Sequence, residues 1–250
     1  MNINFTKYHK VNSGILSFFY VWVLYYWTSP IPVFRFLFPV FIALLCVTLY
    51  YNFKYLTVLA VENKWAIVRV ALLQLAGFLL FFVMPSALAR LVFLGISFIF
   101  LYISEYLISD FSENILFNEV ILIAFGLFYG FNGLVWNFPT YNYWGIAGLF
   151  ILLSLLIRCF YEFAPLTTKE KWLNALVLGF LSVQMFWAGL YLPLHFSALA
   201  IIGFNGFYLL TSLNYFFIFK TLTEKKFKFH VGLSAICIII VLLVTPWKII

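Results

Sequence analysis

Residues 192–228 read LPLHFSALAIIGFNGFYLLTSLNYFFIFKTLTEKKFK. From Leu194 to Phe219 there is no Asp, Glu, Lys or Arg, and the run exceeds the roughly 20 residues a helix needs to cross a hydrocarbon core. A short uncharged connection built on Pro193 precedes it. A charged connection with Lys220, Glu224, Lys225, Lys226 and Lys228 follows it. A lipid-facing β-strand would alternate apolar and polar residues; this run is continuously apolar, so it predicts a helix.

The same pattern organises the rest of the chain. It predicts an all-α integral membrane protein with about nine transmembrane helices, near 12–29, 32–53, 65–84, 86–108, 114–137, 143–161, 171–191, 194–220 and 229–247. Composition agrees: 66% of the 250 residues are hydrophobic, 9% are charged and mean hydropathy is +1.07, whereas about a quarter of an ordinary soluble domain is charged. These values exclude a soluble enzyme and a disordered scaffold. No connection is long enough for a soluble domain, so the chain reads as one polytopic membrane domain. The N-terminal segment holds Lys7, His9 and Lys10 ahead of an apolar run with no small-residue cleavage site, and reads as an uncleaved signal anchor.

The connections alternate. Ser29-Pro30-Ile31-Pro32, Met84-Pro85, Phe138-Pro139 and Leu192-Pro193 are short and uncharged. Residues 54–64, 105–113, 162–171 and 220–228 are longer and charged. The charged side, with the N-terminal arm, carries twelve of the fifteen Lys and Arg residues; Arg35, Arg90 and Lys248 fall on the proline side. The positive-inside effect therefore puts the N-terminus in the cytoplasm and the C-terminus outside. That segregation accounts for the net charge of +7 without nucleic acid. The abundance of Phe, Ile, Tyr, Asn and Lys suits an AT-rich bacterial source, hence a cytoplasmic membrane.

The alternation suggests four helical hairpins in parallel repeat (12–53, 65–108, 114–161 and 171–220) and a final helix, 229–247. Ser86-Ala87-Leu88-Ala89 recurs as Ser197-Ala198-Leu199-Ala200, with Phe93 and Gly95 matching Phe204 and Gly206. Gly145-x-x-Gly148 recurs as Gly203-x-x-Gly206, and Glu62-Asn63-Lys64-Trp65 resembles Glu170-Lys171-Trp172. Paired glycines on one face let a neighbouring helix approach. Thr167-x-x-Glu170 reads as a capping box, and Pro39 as a kink in the second span.

Ionisable residues inside spans are the candidates for function. Glu119 lies about 9 Å along its helix from Glu113, at a depth where Arg69 or Arg158 could pair with it. This trio is either a coupling site open to the cytoplasm or a structural ion pair. Arg35 and Arg90 follow the hairpin prolines of two spans, and His195 follows Pro193; together they suggest an outward site for a lipid phosphate, which arginine geometry suits. Gln74, Gln184, Asn132, Asn205 and Asn214 read as interhelical hydrogen-bonding groups. Cys46, Cys159 and Cys237 are scattered and form no disulfide or zinc pattern.

The chain has no HExxH, GxSxG, P-loop or GxGxxG, no paired glutamates of a CAAX-type protease, and no lysine in its last span to carry retinal. No catalytic, cofactor or metal residues are assigned, and no known family is recognised. The reading is a non-enzymatic membrane scaffold or assembly partner that binds lipid, another membrane protein or its own copy. The alternative is a small transporter or lipid-handling protein using Glu119 and the intramembrane arginines. A lipid-modifying enzyme would need an acid or base on the outer face, where no carboxylate side chain is placed.

Overall fold

The computed structural model describes residues 3–26, 34–59, 65–84, 86–109, 113–139 and 142–245, with side chains except those of 3–7, 34–38 and 113–115. These residues form nine α-helices and no strand: α1 (Ile3–Tyr26), α2 (Phe34–Val58), α3 (Trp65–Val83), α4 (Ala87–Tyr106), α5 (Glu113–Asn137), α6 (Asn142–Phe160), α7 (Thr168–Gly189), α8 (Phe196–Ile218) and α9 (Glu224–Val244), with a 3-10 turn over Tyr161–Phe163. The connections at 29–32 and 62–64, Pro85 and Lys248 lie outside the described residues, as does the side chain of Arg35.

Eight helices, α2 to α9, are long and apolar enough to cross a membrane. The ninth, α1, falls short because of His9, Lys10, Asn12, Ser13 and Ser17. His9, Ser13 and Ser17 recur every four residues, which is one helix face, and all three are buried. The opposite face carries Val11, Ile15, Phe18, Trp22 and Tyr25, all exposed. The low hydropathy of α1 thus comes in part from the face turned toward its neighbours and in part from the exposed Lys10 and half-buried Asn12.

Helix ends follow local chemistry. Thr167 and Glu170 form the anticipated capping box: the Glu170 carboxylate accepts from the Thr167 N–H at 2.8 Å, and the Thr167 hydroxyl accepts from the Glu170 N–H at 3.4 Å. Ser86 caps α4. α9 begins five residues before the position hydropathy suggests, because Thr223 caps it and Glu224 pairs with Lys228 one turn on, at 2.6 Å. Such polar turns are invisible to a hydropathy window. α8 ends with Lys220 in the left-handed region (φ 54), and the amides of Lys220 and Thr221 satisfy the carbonyls of Phe217 and Phe216.

The chain divides into two compact units, Met1–Ser112 and Glu113–Ile250. In the first, α1 and α3 each pack against both α2 and α4. In the second, α5 and α7 each pack against both α6 and α8, and α9 packs on α8. The paired glycines serve packing. A Cβ on Gly145 or Gly148 would press on Val135 and Phe131 of α5. A Cβ on Gly203 would stand 2.9 Å from the Phe128 ring, and one on Gly206 would strike Met185 of α7.

Candidate functional site

Four helices of the first unit turn polar residues inward. α1 supplies His9, Ser13 and Ser17, α2 supplies Thr48 and Asn52, α3 supplies Arg69 and Gln74, and α4 supplies Ser97, Ser104 and Glu105; all are buried. On α4, Leu94, Ser97, Leu101 and Glu105 follow the three- and four-residue spacing of one face. α1 and α2 run antiparallel, with His9 stacked on Tyr55 at 3.6 Å and Tyr20 against Phe41 at 6.2 Å. Likewise His9 reaches the backbone of Glu105, while Gly14 lies beside Tyr102. These registers bring Asn52 and Glu105 to about the same level of the unit.

Gln74 is the hub. Its Nε2 donates to Thr48 Oγ1 at 3.3 Å and to Glu105 Oε1 at 3.5 Å, joining α2, α3 and α4. The Tyr20 hydroxyl donates to the Gln74 carbonyl at 2.7 Å, tying in α1. Gly77 leaves room for it: a Cβ there would sit 2.6 Å from the Tyr20 oxygen. A second chain of bonds lies toward the charged end of the unit. Asn12 Nδ2 donates to the Tyr51 hydroxyl at 3.2 Å, which donates to His9 Nδ1 at 3.1 Å; His9 Nε2 donates to the Glu105 carbonyl at 2.9 Å. Because a carbonyl only accepts, Nε2 carries a proton; in the neutral ring Nδ1 then accepts from Tyr51.

The polar layer is closed on both sides. Toward the charged end Tyr55, Leu56, Ala66, Ile67, Val70 and Ile108 form one buried cluster. Toward the proline end Phe41 stacks on Phe78 at 4.4 Å, and Phe81 lies 6.4 Å from Phe93. Between them Ser13, Ser17, Asn52, Gln74 and Glu105 are each 0% exposed. Six of their polar atoms have no hydrogen-bond partner in the protein: both hydroxyls, both amide atoms of Asn52, Gln74 Oε1 and Glu105 Oε2. A buried polar group left unsatisfied costs about 1–3 kcal/mol, so such a concentration makes this layer the candidate site.

The candidates read from sequence are divided between the two units. Glu119 and Arg158 are both buried in the second unit. Phe117 packs on Phe160 at 5.6 Å, which puts Glu119 and Arg158 at one level of the antiparallel α5 and α6. Arg158 donates to Glu162 at 2.8 Å, four residues on. Arg69 belongs to the first unit, in the polar layer. Arg90 donates from Nε to the Met84 carbonyl at 2.9 Å and lies over Phe81, so it ties together the α3–α4 turn. His195 caps α8 through Ser197 and packs on Trp136 at 5.4 Å. Arg90 lies in the first unit and His195 in the second; Arg90 holds the α3–α4 turn and His195 the start of α8.

Glu105 itself was missed. With Asp110 and Glu113 it reads as the start of a charged connection, yet α4 continues to Tyr106. The usable signal was the Ser97, Leu101, Glu105 spacing.

The chain matches no protein-family model, no curated protein and no solved structure.

Proposed function

We propose that the chain is a small membrane transporter whose polar layer holds a small charged or polar solute between two apolar closures. The observation that carries this reading is the cluster of six unpartnered, buried polar atoms around Gln74 and Glu105. In hydrocarbon, buried ionisable groups face bundle interiors and mark solute or proton paths. The centre of the reading is therefore Glu105, in place of Glu119 and the arginines.

The finer topology belongs to the same proposal. All nine helices cross a bacterial cytoplasmic membrane, with the N-terminus inside and the C-terminus outside. The four hairpins repeat in parallel, with α9 appended. The packing of first helix on fourth in each unit supports the repeat, as does the return of the Ser-Ala-Leu-Ala stretch at the start of α4 and of α8. In a chain freed of its own cysteines, Asn142→Cys should react with an impermeant maleimide from outside intact cells, and Lys226→Cys should react only after permeabilisation. The reverse pattern overturns the orientation.

Transport is tested in proteoliposomes by solid-supported-membrane currents over a panel of monovalent salts and small organic ions. At least one solute should give a current that Glu105→Gln abolishes while the variant still purifies folded. A wild-type protein silent over the whole panel removes the transport reading.

One observation favours the scaffold as a second reading. α9 packs on α8 and presents Phe229, Leu233, Ile236, Ile239, Ile240 and Leu243 outward, a face suited to lipid or another membrane segment. A stoichiometric protein partner in native-membrane nanodiscs, seen by mass spectrometry and lost on mutating this face, would favour it.

A further inference from the structure

We propose that the start of α9 binds an anionic phospholipid, with Lys225, Lys226 and Lys228 around its phosphate and one of its acyl chains along the outward stripe of the helix. This inference stands apart from the transport reading, and for the outward face of α9 it names lipid as the occupant.

The stripe follows from helical spacing. Lys225, Phe229, Leu233, Ile236, Ile240 and Leu243 are separated by steps of three and four residues, so they share one face of α9. The five apolar members are exposed, from 41% at Leu233 to 80% at Leu243. One leaflet of hydrocarbon is about 15 Å deep, which is about ten residues of helix. An acyl chain whose phosphate lies at Lys225 therefore runs along Phe229, Leu233 and Ile236.

The cations gather at the head of this stripe. Lys220 follows α8, and Lys225, Lys226 and Lys228 open α9, against a single acid, Glu224. Glu224 is engaged with Lys228 at 2.6 Å. Among the described residues Lys220, Lys225 and Lys226 have no carboxylate partner. The first turns of α9 are also fixed in place. Lys226 lies over the Phe216 ring of α8 at 4.6 Å, and His230 is bonded to the Tyr208 hydroxyl at 2.7 Å and rests on Phe216 at 5.2 Å. Lys226 thus stands between the stripe and α8, and Lys225 stands on the stripe itself.

Charge and position together choose the occupant. Lysines clustered at the end of a membrane helix attract anionic headgroups. Phe217, Phe227 and Phe229 are exposed within the same turns, where aromatic rings sit at the level of the headgroups. A nucleic acid or an acidic soluble protein would meet the lysines and leave the rings and the stripe uncovered. A phospholipid brings phosphate to the lysines and hydrocarbon to the residues directly below them.

The test is native mass spectrometry of the purified full chain in a mild detergent, with added phosphatidylglycerol or phosphatidylcholine of the same acyl chains. Wild type should bind phosphatidylglycerol on the order of tenfold more tightly. Lys225→Gln with Lys226→Gln should remove that preference and leave phosphatidylcholine binding unchanged. Neither lysine is buried, so this variant should fold as wild type does, checked by its circular dichroism and elution volume. Lys225→Arg with Lys226→Arg should keep the preference. Millimolar inorganic phosphate should not displace the lipid.

Equal binding of the two lipids overturns the inference, as does a preference that survives the double glutamine variant. Displacement by inorganic phosphate overturns it as well, since the site would then take a soluble anion. A protein partner that holds this face in native-membrane nanodiscs in place of lipid has the same consequence. Currents that depend on Glu105 judge the transport reading separately, whichever lipid result is found.

Discussion

Gln74→Leu should destabilise the first unit by about 1–3 kcal/mol, the cost of leaving buried polar groups without their hydrogen bonds. Leucine is nearly the size of glutamine, so the cavity contribution is small and the loss isolates the amide. The Gln74 N–H groups serve Thr48 and Glu105 at once, and Glu105 is wholly shielded from solvent. No water from outside can take their place. The check is a double-mutant cycle with Glu105→Gln, read by denaturant unfolding in mixed micelles. With the carboxylate gone, Gln74→Leu should cost less by about 1–3 kcal/mol. Additive costs would mean that Gln74 and Glu105 are neighbours without being partners.

Phe128→Ala should be the most damaging single truncation in the second unit, at about 3–5 kcal/mol. Its ring is fully buried and lies between Phe186 at 6.5 Å and Phe207 at 5.9 Å. It also presses on Gly203, where a Cβ would stand 2.9 Å away. Three helices thus meet on one side chain: α5 supplies it, and α7 and α8 close around it. Gly203→Ala alone should be destabilising, by about 1–3 kcal/mol, because the ring cannot retreat. In the Phe128→Ala background the added methyl enters the space the ring vacated and should recover part of the loss. Thermal unfolding of the four proteins measures the sign of this coupling; two independent losses would contradict the packing described.

The two cases show why the halves of the chain differ in how far they could be read. Gly203-x-x-Gly206 announces a close helix approach by its spacing alone, since a missing Cβ has one use in a packed bundle. The motif does not say that Gly203 meets α5 while Gly206 meets α7. Glu119 looked the sharpest candidate because it is the acid farthest from a connection. Glu105 looked like loop because Asp110 and Glu113 follow closely. In a soluble helix an apolar stripe identifies the inward face. Here every face is apolar, and α4 is exposed along Leu88, Leu91, Val92, Ile96, Ile99 and Ile103, so hydropathy does not reveal which way the helix is rotated.

The amino-acid sequence by itself determined the helices, most of their limits, the Thr167–Glu170 cap, the glycine contacts as a class and the segregation of charge. These follow from local composition and from spacing within a few residues, because hydration and helix capping are short-range. The tertiary structure alone decided which polar groups meet. Gln74 reaches Glu105 across 31 residues, His9 reaches the Glu105 backbone across 96, and Tyr20 closes on Gln74 across 54. Each pairing depends on how a helix is rotated about its axis, and only packing sets that rotation: the unit is stable in the arrangement that turns its polar residues inward and toward one another.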